Sequence, residues 1–205
     1  MERKLLATLI LVAMALGAGC AEIFPGPPVA LPAIVPVEGA SLDPLPAHTF
    51  PFEGGEETIR IDPDPAVYAG AKGADRRLHL ARDLSREEWI PLYYRAFESE
   101  PHLEPFYADL LAALRDIRDR EGLDDDRYLE LIAVFVQSIP YRTDASIVEP
   151  KFPIETYVDG EGDCDDRSLL LAGLLAREGY GVALFYFEDE AHMAVGVQST
   201  GCHYR

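Results

Sequence analysis

Residues 168–176, SLLLAGLLA, are apolar around nearly the whole circumference of a helix. A helix without a polar face cannot lie on a surface, so it must be covered on every side at the middle of a domain. Gly179 stands where a left-handed C′ residue would end it, which sets the helix from Cys164 to Glu178. Just ahead of it runs GEGDCDD (160–166), which places the mid-chain thiol of Cys164 among acids. A buried structural cysteine keeps apolar company, and a thiol that must ionise avoids extra negative charge, so the stretch needs a reason.

The flanking segments show what could cover such a helix. Residues 86–98 and 103–121 read as helices, the second with Leu110, Leu111, Leu114 and Ile117 on one stripe and Gly122 as its stop. LDDDRYLELIAVFVQSIPY opens with acids that suit a helix start. Its expected apolar face is Leu129, Ile132, Ala133 and Val136, and Pro140 ends it. A loop over 142–162 then delivers the chain to Cys164. After the central helix, YGVALFYF reads as a buried strand, EDE as a turn and AHMAVGV as a second, alternating strand. Helices first and strands later predict an α+β fold, with a helical N-terminal part and a Cys-bearing helix packed on an antiparallel sheet.

Residues 21–53 hold eight of the sixteen prolines and little charge, so 20–53 reads as an extended tether. EETIRID follows as a short strand with Ile59 and Ile61 on one face, and DPDPAVYAG as a turn into a short helix. No linker interrupts the remainder, so 54–205 is expected to be one domain. Ahead of the tether, MERK and LLATLILVAMALG form a basic start and an apolar run too short to span a bilayer comfortably. Small residues lead to Cys20, in the manner of a lipoprotein signal peptide over 1–19, although Leu16 lies four residues before the cysteine rather than three. Lipidation at Cys20 would tether the protein to the outer face of a membrane in the cell envelope; plain secretory cleavage is the alternative. Either way the chain is expected to be exported.

A formal charge of −18 argues against a nucleic-acid partner, which selects clustered Lys and Arg. The acidic loop DGEGDCDD lacks the sixth-position Gly and twelfth-position Glu of an EF-hand, and one Cys with one His serves zinc poorly. No metal and no cofactor are expected.

Simple geometry brings a histidine to the thiol. A helix over 164–178 advances about 21 Å at ~1.5 Å per residue. The strand over 181–187 returns over roughly 20–23 Å at ~3.3 Å per residue. His192, just past the turn, therefore lies at the level of Cys164. Alternation puts His192, Ala194 and Gly196 on one face and Met193, Val195 and Val197 on the other. The small residues beside His192 would let a helix approach closely. At a helix N-terminus the unpaired N–H groups and the peptide dipoles favour a thiolate, and an imidazolium would offset the acids. In a tight turn Asp163 and Asp165 would point away, leaving Asp165 or Asp166 free to cap.

GDCDD opening an apolar helix, followed by GYGVALFYF and EAHMAVGV, resembles the transglutaminase-like superfamily of papain-like cysteine enzymes. VQSIPY and FPIETYVDG add to the likeness, which is best over residues 124–198. The resemblance implies Cys164 as nucleophile and His192 as general base. It also implies an oxyanion site made of backbone N–H groups, with Gln137 as a candidate side-chain donor, and a protein or peptide substrate. Asp163, Asp165 and Asp166 are read as cap and turn residues. Such enzymes orient the histidine with an Asp, Asn or Glu on the next strand, but QSTGCHYR holds no acid. The expectation is that the chain is C-terminally incomplete. An inactive binding or scaffold module of the same fold stays open, as does a structural Cys164–Cys202 disulfide.

Overall fold

The computed structural model describes residues 29–80, 83–143 and 149–199. The expected signal peptide, Cys20 and Cys202 lie outside the described residues. In chain order the elements are β1 (Val29–Ala30), β2 (His48–Phe52), β3 (Gly55–Ile59), α1 (Pro65–Gly73), β4 (His79–Leu80), α2 (Arg86–Glu98), α3 (Glu104–Glu121), α4 (Asp125–Ser138), α5 (Pro153–Asp159), α6 (Cys164–Arg177), β5 (Val182–Phe187) and β6 (His192–Val197). The protein is a mixed helix-and-sheet, α+β structure, with its strands in antiparallel pairs.

Helix α6 is enclosed by α2, α3, α4, α5 and the β5–β6 pair. Leu169, Leu170, Leu174 and Leu175 are at most 1% exposed, and burying each contributes on the order of 2 kcal/mol. Gly173 lets α3 come close, since an added Cβ there would meet the Tyr107 hydroxyl at 2.1 Å. The helix ends as its sequence suggests. Gly179 adopts φ +84°, its N–H bonds to Ala176 O, and the Tyr180 N–H bonds to Leu175 O. This is a Schellman motif, which satisfies carbonyls the helix end leaves open.

The buried stripe of α3 is Phe106, Tyr107, Leu110, Leu111, Leu114 and Ile117, and Gly122 ends the helix at φ +61°. In α4 the stripe departs from the expected one. Tyr128, Leu131, Ile132, Phe135 and Val136 are buried, whereas Leu129 and Ala133 are only half-buried. The aromatic rings of Tyr128 and Phe135 carry more apolar area and turn the helix onto themselves. The expected loop over 142–162 contains the short helix α5. Pro153 opens it with a preset φ, and the Glu155 carboxylate accepts from the Phe152 N–H at 2.9 Å. Fully buried, Glu155 also meets Arg76 at 2.5 Å.

The tether expected over 20–53 is corrected from Leu31 onward. Ile34, Phe50 and Phe52 are buried in the core, and the Val37 N–H bonds to Ala66 O at 3.0 Å. Gly70 leaves room for this strap, since a Cβ there would lie 2.4 Å from Val35 O. Proline excludes helix but not extended chain. The alternation of Phe50 and Phe52 then gives β2 an inward face, paired with β3 through a tight turn at Glu53 (φ +46°) and Gly54 (φ +83°). The expected boundary at 53/54 falls inside that turn. Ile59 and Ile61 are both buried, as the strand pattern suggested.

Among the described residues, Val29, Ala30, His79, Leu80 and Asp83 fall in a unit of their own, and the remaining described residues form the other. Within it β1 pairs with β4, Val29 opposite Leu80 and Ala30 opposite His79. The single-domain expectation for 54–205 is amended accordingly, because that ladder ties His79 and Leu80 to Val29 and Ala30.

Candidate active site

Two acids build the start of α6. Asp163 is the N-cap, its Oδ1 accepting from the N–H groups of Asp165 (3.1 Å) and Asp166 (3.3 Å). Asp166 answers with Oδ2 to the Asp163 N–H at 3.2 Å, closing a capping box, and its Oδ1 takes the Lys151 N–H at 2.7 Å. Gly162 permits this packing, since a Cβ there would sit 2.8 Å from the Asp166 Cβ. Gly162 also bridges in parallel to Tyr141, with its N–H on Pro140 O at 3.1 Å and its carbonyl on the Arg142 N–H at 3.1 Å. Two of the three acids around the thiol are thus occupied in holding the turn.

Asp165 behaves differently from the expectation that it points away or caps. Its Oδ1 lies 3.4 Å from Cys164 Sγ, and its Oδ2 accepts from the Tyr94 hydroxyl at 3.4 Å. The thiol also lies 3.9 Å from Ala191 O. Cys164 is a free thiol; Cys202, its candidate disulfide partner, lies outside the described residues. Burial pushes the thiol pKa above its ordinary value, and the Asp165 and Asp163 carboxylates add to this against the opposing Met193 N–H. These surroundings work against the expected thiolate, because burial and both carboxylates disfavour charge on sulfur. Asp165 and Asp166 are themselves raised, chiefly by burial and further by the charge of Asp163.

The β5–β6 hairpin turns with Ala191 at φ +45° and pairs Phe187 with His192, which brings Ala191 and His192 to the thiol end of α6. Parity, however, runs against the expected face. The side of β6 turned to α6 carries Met193, 2% exposed, whose carbonyl accepts from Ser168 Oγ at 3.3 Å. His192 is exposed, with its ring stacked on Phe187 at 6.3 Å and 21°. The space beside Gly196 is taken by Phe185 rather than by a helix. Larger apolar area decides which face of a strand is buried, and Met and Val outweigh Ala and Gly. Among the described residues no hydrogen bond joins Cys164 to His192.

Thiol and imidazole nonetheless line one shallow cleft of about 310 Å³, together with Gln137, Tyr141, Arg167 and Ser168. Gln137 is exposed at the end of α4, and its backbone oxygen accepts from Arg167 at 2.9 Å. Tyr141 was not singled out in the sequence, although it follows Pro140 directly at the helix end. Its hydroxyl pKa is raised, first by burial and then by the charges of Cys164 and Asp163, and the Arg167 guanidinium sits 5.8 Å over its ring. Tyr94 had no signal beyond its place on an amphipathic helix. As possible metal ligands, Asp163, Cys164 and Asp165 offer one atom each within 4.8 Å of one another. The Asp163 contribution there competes with its capping bonds.

No family model, curated protein or solved structure matches the chain. Chemically, the cleft unites a thiol, an imidazole, an amide and a phenol.

Proposed function

We propose that the chain is a transglutaminase-like cysteine enzyme with a papain-like core, which cleaves or transfers amide and peptide acyl groups through a thioester on Cys164. The observation that carries this reading is the position of the thiol at the N-terminus of the enclosed helix α6, in one cleft with His192 of the adjoining strand. In this mechanism the His192 ring leaves Phe187 and takes the thiol proton as sulfur attacks the carbonyl carbon. The Cys164 N–H and the Gln137 amide receive the oxyanion, and the imidazolium returns the proton to the departing amine. Water or a second amine then displaces sulfur from the acyl group. Export and a lipid on Cys20, holding the enzyme at the outer face of the membrane, belong to the same proposal and rest on residues 1–20. Among the described residues no helix is long and apolar enough to cross a membrane.

One observation favours a second reading, a non-catalytic binding module: the thiol faces Asp165 and Ala191 O while His192 stacks on Phe187. Iodoacetamide labelling of Cys164, followed by peptide mass analysis, separates the two. An enzyme loses about ten-fold or more in labelling rate at neutral pH in His192→Ala. An unchanged rate, no faster than a free cysteine, leaves the binding module.

A further inference from the structure

We propose that the cavity between α2, α6 and the β5–β6 pair is a binding site for an apolar monocarboxylate, independent of the thiol chemistry. The cavity measures about 370 Å³, the size of a small-molecule site. Its walls include Ile90, Tyr94, Ala172, Leu184, Tyr186 and Met193, an apolar and aromatic lining that selects a hydrocarbon body. Two charged residues, Arg95 and Glu98, complete the lining. Glu98 is neutralised by Arg177 at 3.0 Å. Arg95 is not neutralised. Among the described residues every other Lys and Arg has a carboxylate or carbonyl acceptor, while the Arg95 guanidinium has none.

That exception stands in a chain with 36 acidic and 18 basic residues, where a guanidinium finds acidic partners easily. An unpaired fork donor beside an apolar cavity is the complement of a single carboxylate on an apolar body. A cationic ligand would meet Arg95 with like charge. A neutral one would leave the exposed guanidinium to water and gain nothing from its charge.

The carboxylate could come from a free fatty acid or from the C-terminus of an apolar peptide, and titration calorimetry distinguishes them. The probes are octanoate, octanol, and an acetylated leucine-rich tripeptide with a free or amidated C-terminus. Binding of octanoate at one site per chain, about ten-fold tighter than octanol, assigns a free acid. The same preference shown only between the free and amidated peptides assigns a chain terminus. In either case Arg95→Gln, a change at an exposed position, removes the preference while leaving the neutral probe unaffected. Ala176→Trp, on an exposed part of the cavity wall, blocks both carboxylate and neutral probe. Equal affinity for octanoate and octanol and for the two peptides, a preference that survives Arg95→Gln, or no binding by any probe overturns the proposal.

Discussion

Asp165 reaches two partners at once, the Cys164 thiol and the Tyr94 hydroxyl, and both donate to it. Its negative charge opposes a second charge on sulfur, so neutralising it lowers the thiol pKa. Asp165→Asn is expected to move the pH profile of iodoacetamide labelling to lower pH and to raise the rate near pH 7 about three- to ten-fold. A profile that does not move shows that burial alone holds the proton. At this scale a cap among Asp163, Asp165 and Asp166 was legible, because a helix start needs acceptors there. Its assignment was not, since Asp163, expected to point away in a tight turn, is the N-cap. Nor was the direction of Asp165, since it depends on Tyr94, seventy-one residues away. The face of His192 was misread for a related reason. Alternation divides a strand into two faces, and only the neighbour shows which one is covered.

Among the elements, α6 was the most legible, because an all-apolar circumference admits only a central position. Its tightest constraint is Gly173 against Tyr107, whose ring also lies 3.7 Å from the Arg177 guanidinium. Gly173→Ala is expected to destabilise the fold by about 2–3 kcal/mol through overpacking in urea denaturation. Gly179→Ala, where there is space but φ is positive, is expected to cost only about 1 kcal/mol. Equal losses would mean that α3 can retreat from α6. The proline-rich strap was misread because composition forbids helix there without forbidding burial; Phe50 and Phe52 carried the inward signal. Helix α5 was hidden by its shortness, being seven residues long.

For the whole molecule, stability follows the buried carboxyls. Glu155, Asp165 and Asp166 all have pKa values raised by burial, against the pull of Arg76 on Glu155. A group with a raised folded pKa binds more protons when folded. Its contribution is complete below the unfolded pKa and is lost as pH rises through the folded one. Glu104 is held low by Arg177, and Asp159 stays low because Tyr68, Lys72 and Lys151 outweigh its burial, so both work in the opposite sense, below the ordinary carboxylate range. The urea midpoint is therefore expected to rise as pH is lowered through the raised folded pKa values of these carboxyls toward their ordinary range, and Asp166→Asn should flatten that slope. A midpoint that falls over this range would show these carboxyls to be charged without penalty.

The pairing of most cations among the described residues has a consequence at longer range. These cations are paired with carboxylates, so the excess acids act together as a field of one sign. At physiological ionic strength that field extends about 8 Å into solution. It accelerates the approach of cationic partners and slows anionic surfaces and macromolecules before any contact forms. Added salt would slow the first encounter and relieve the second, which makes ionic strength a control on the kinetics of this protein as much as on its equilibria.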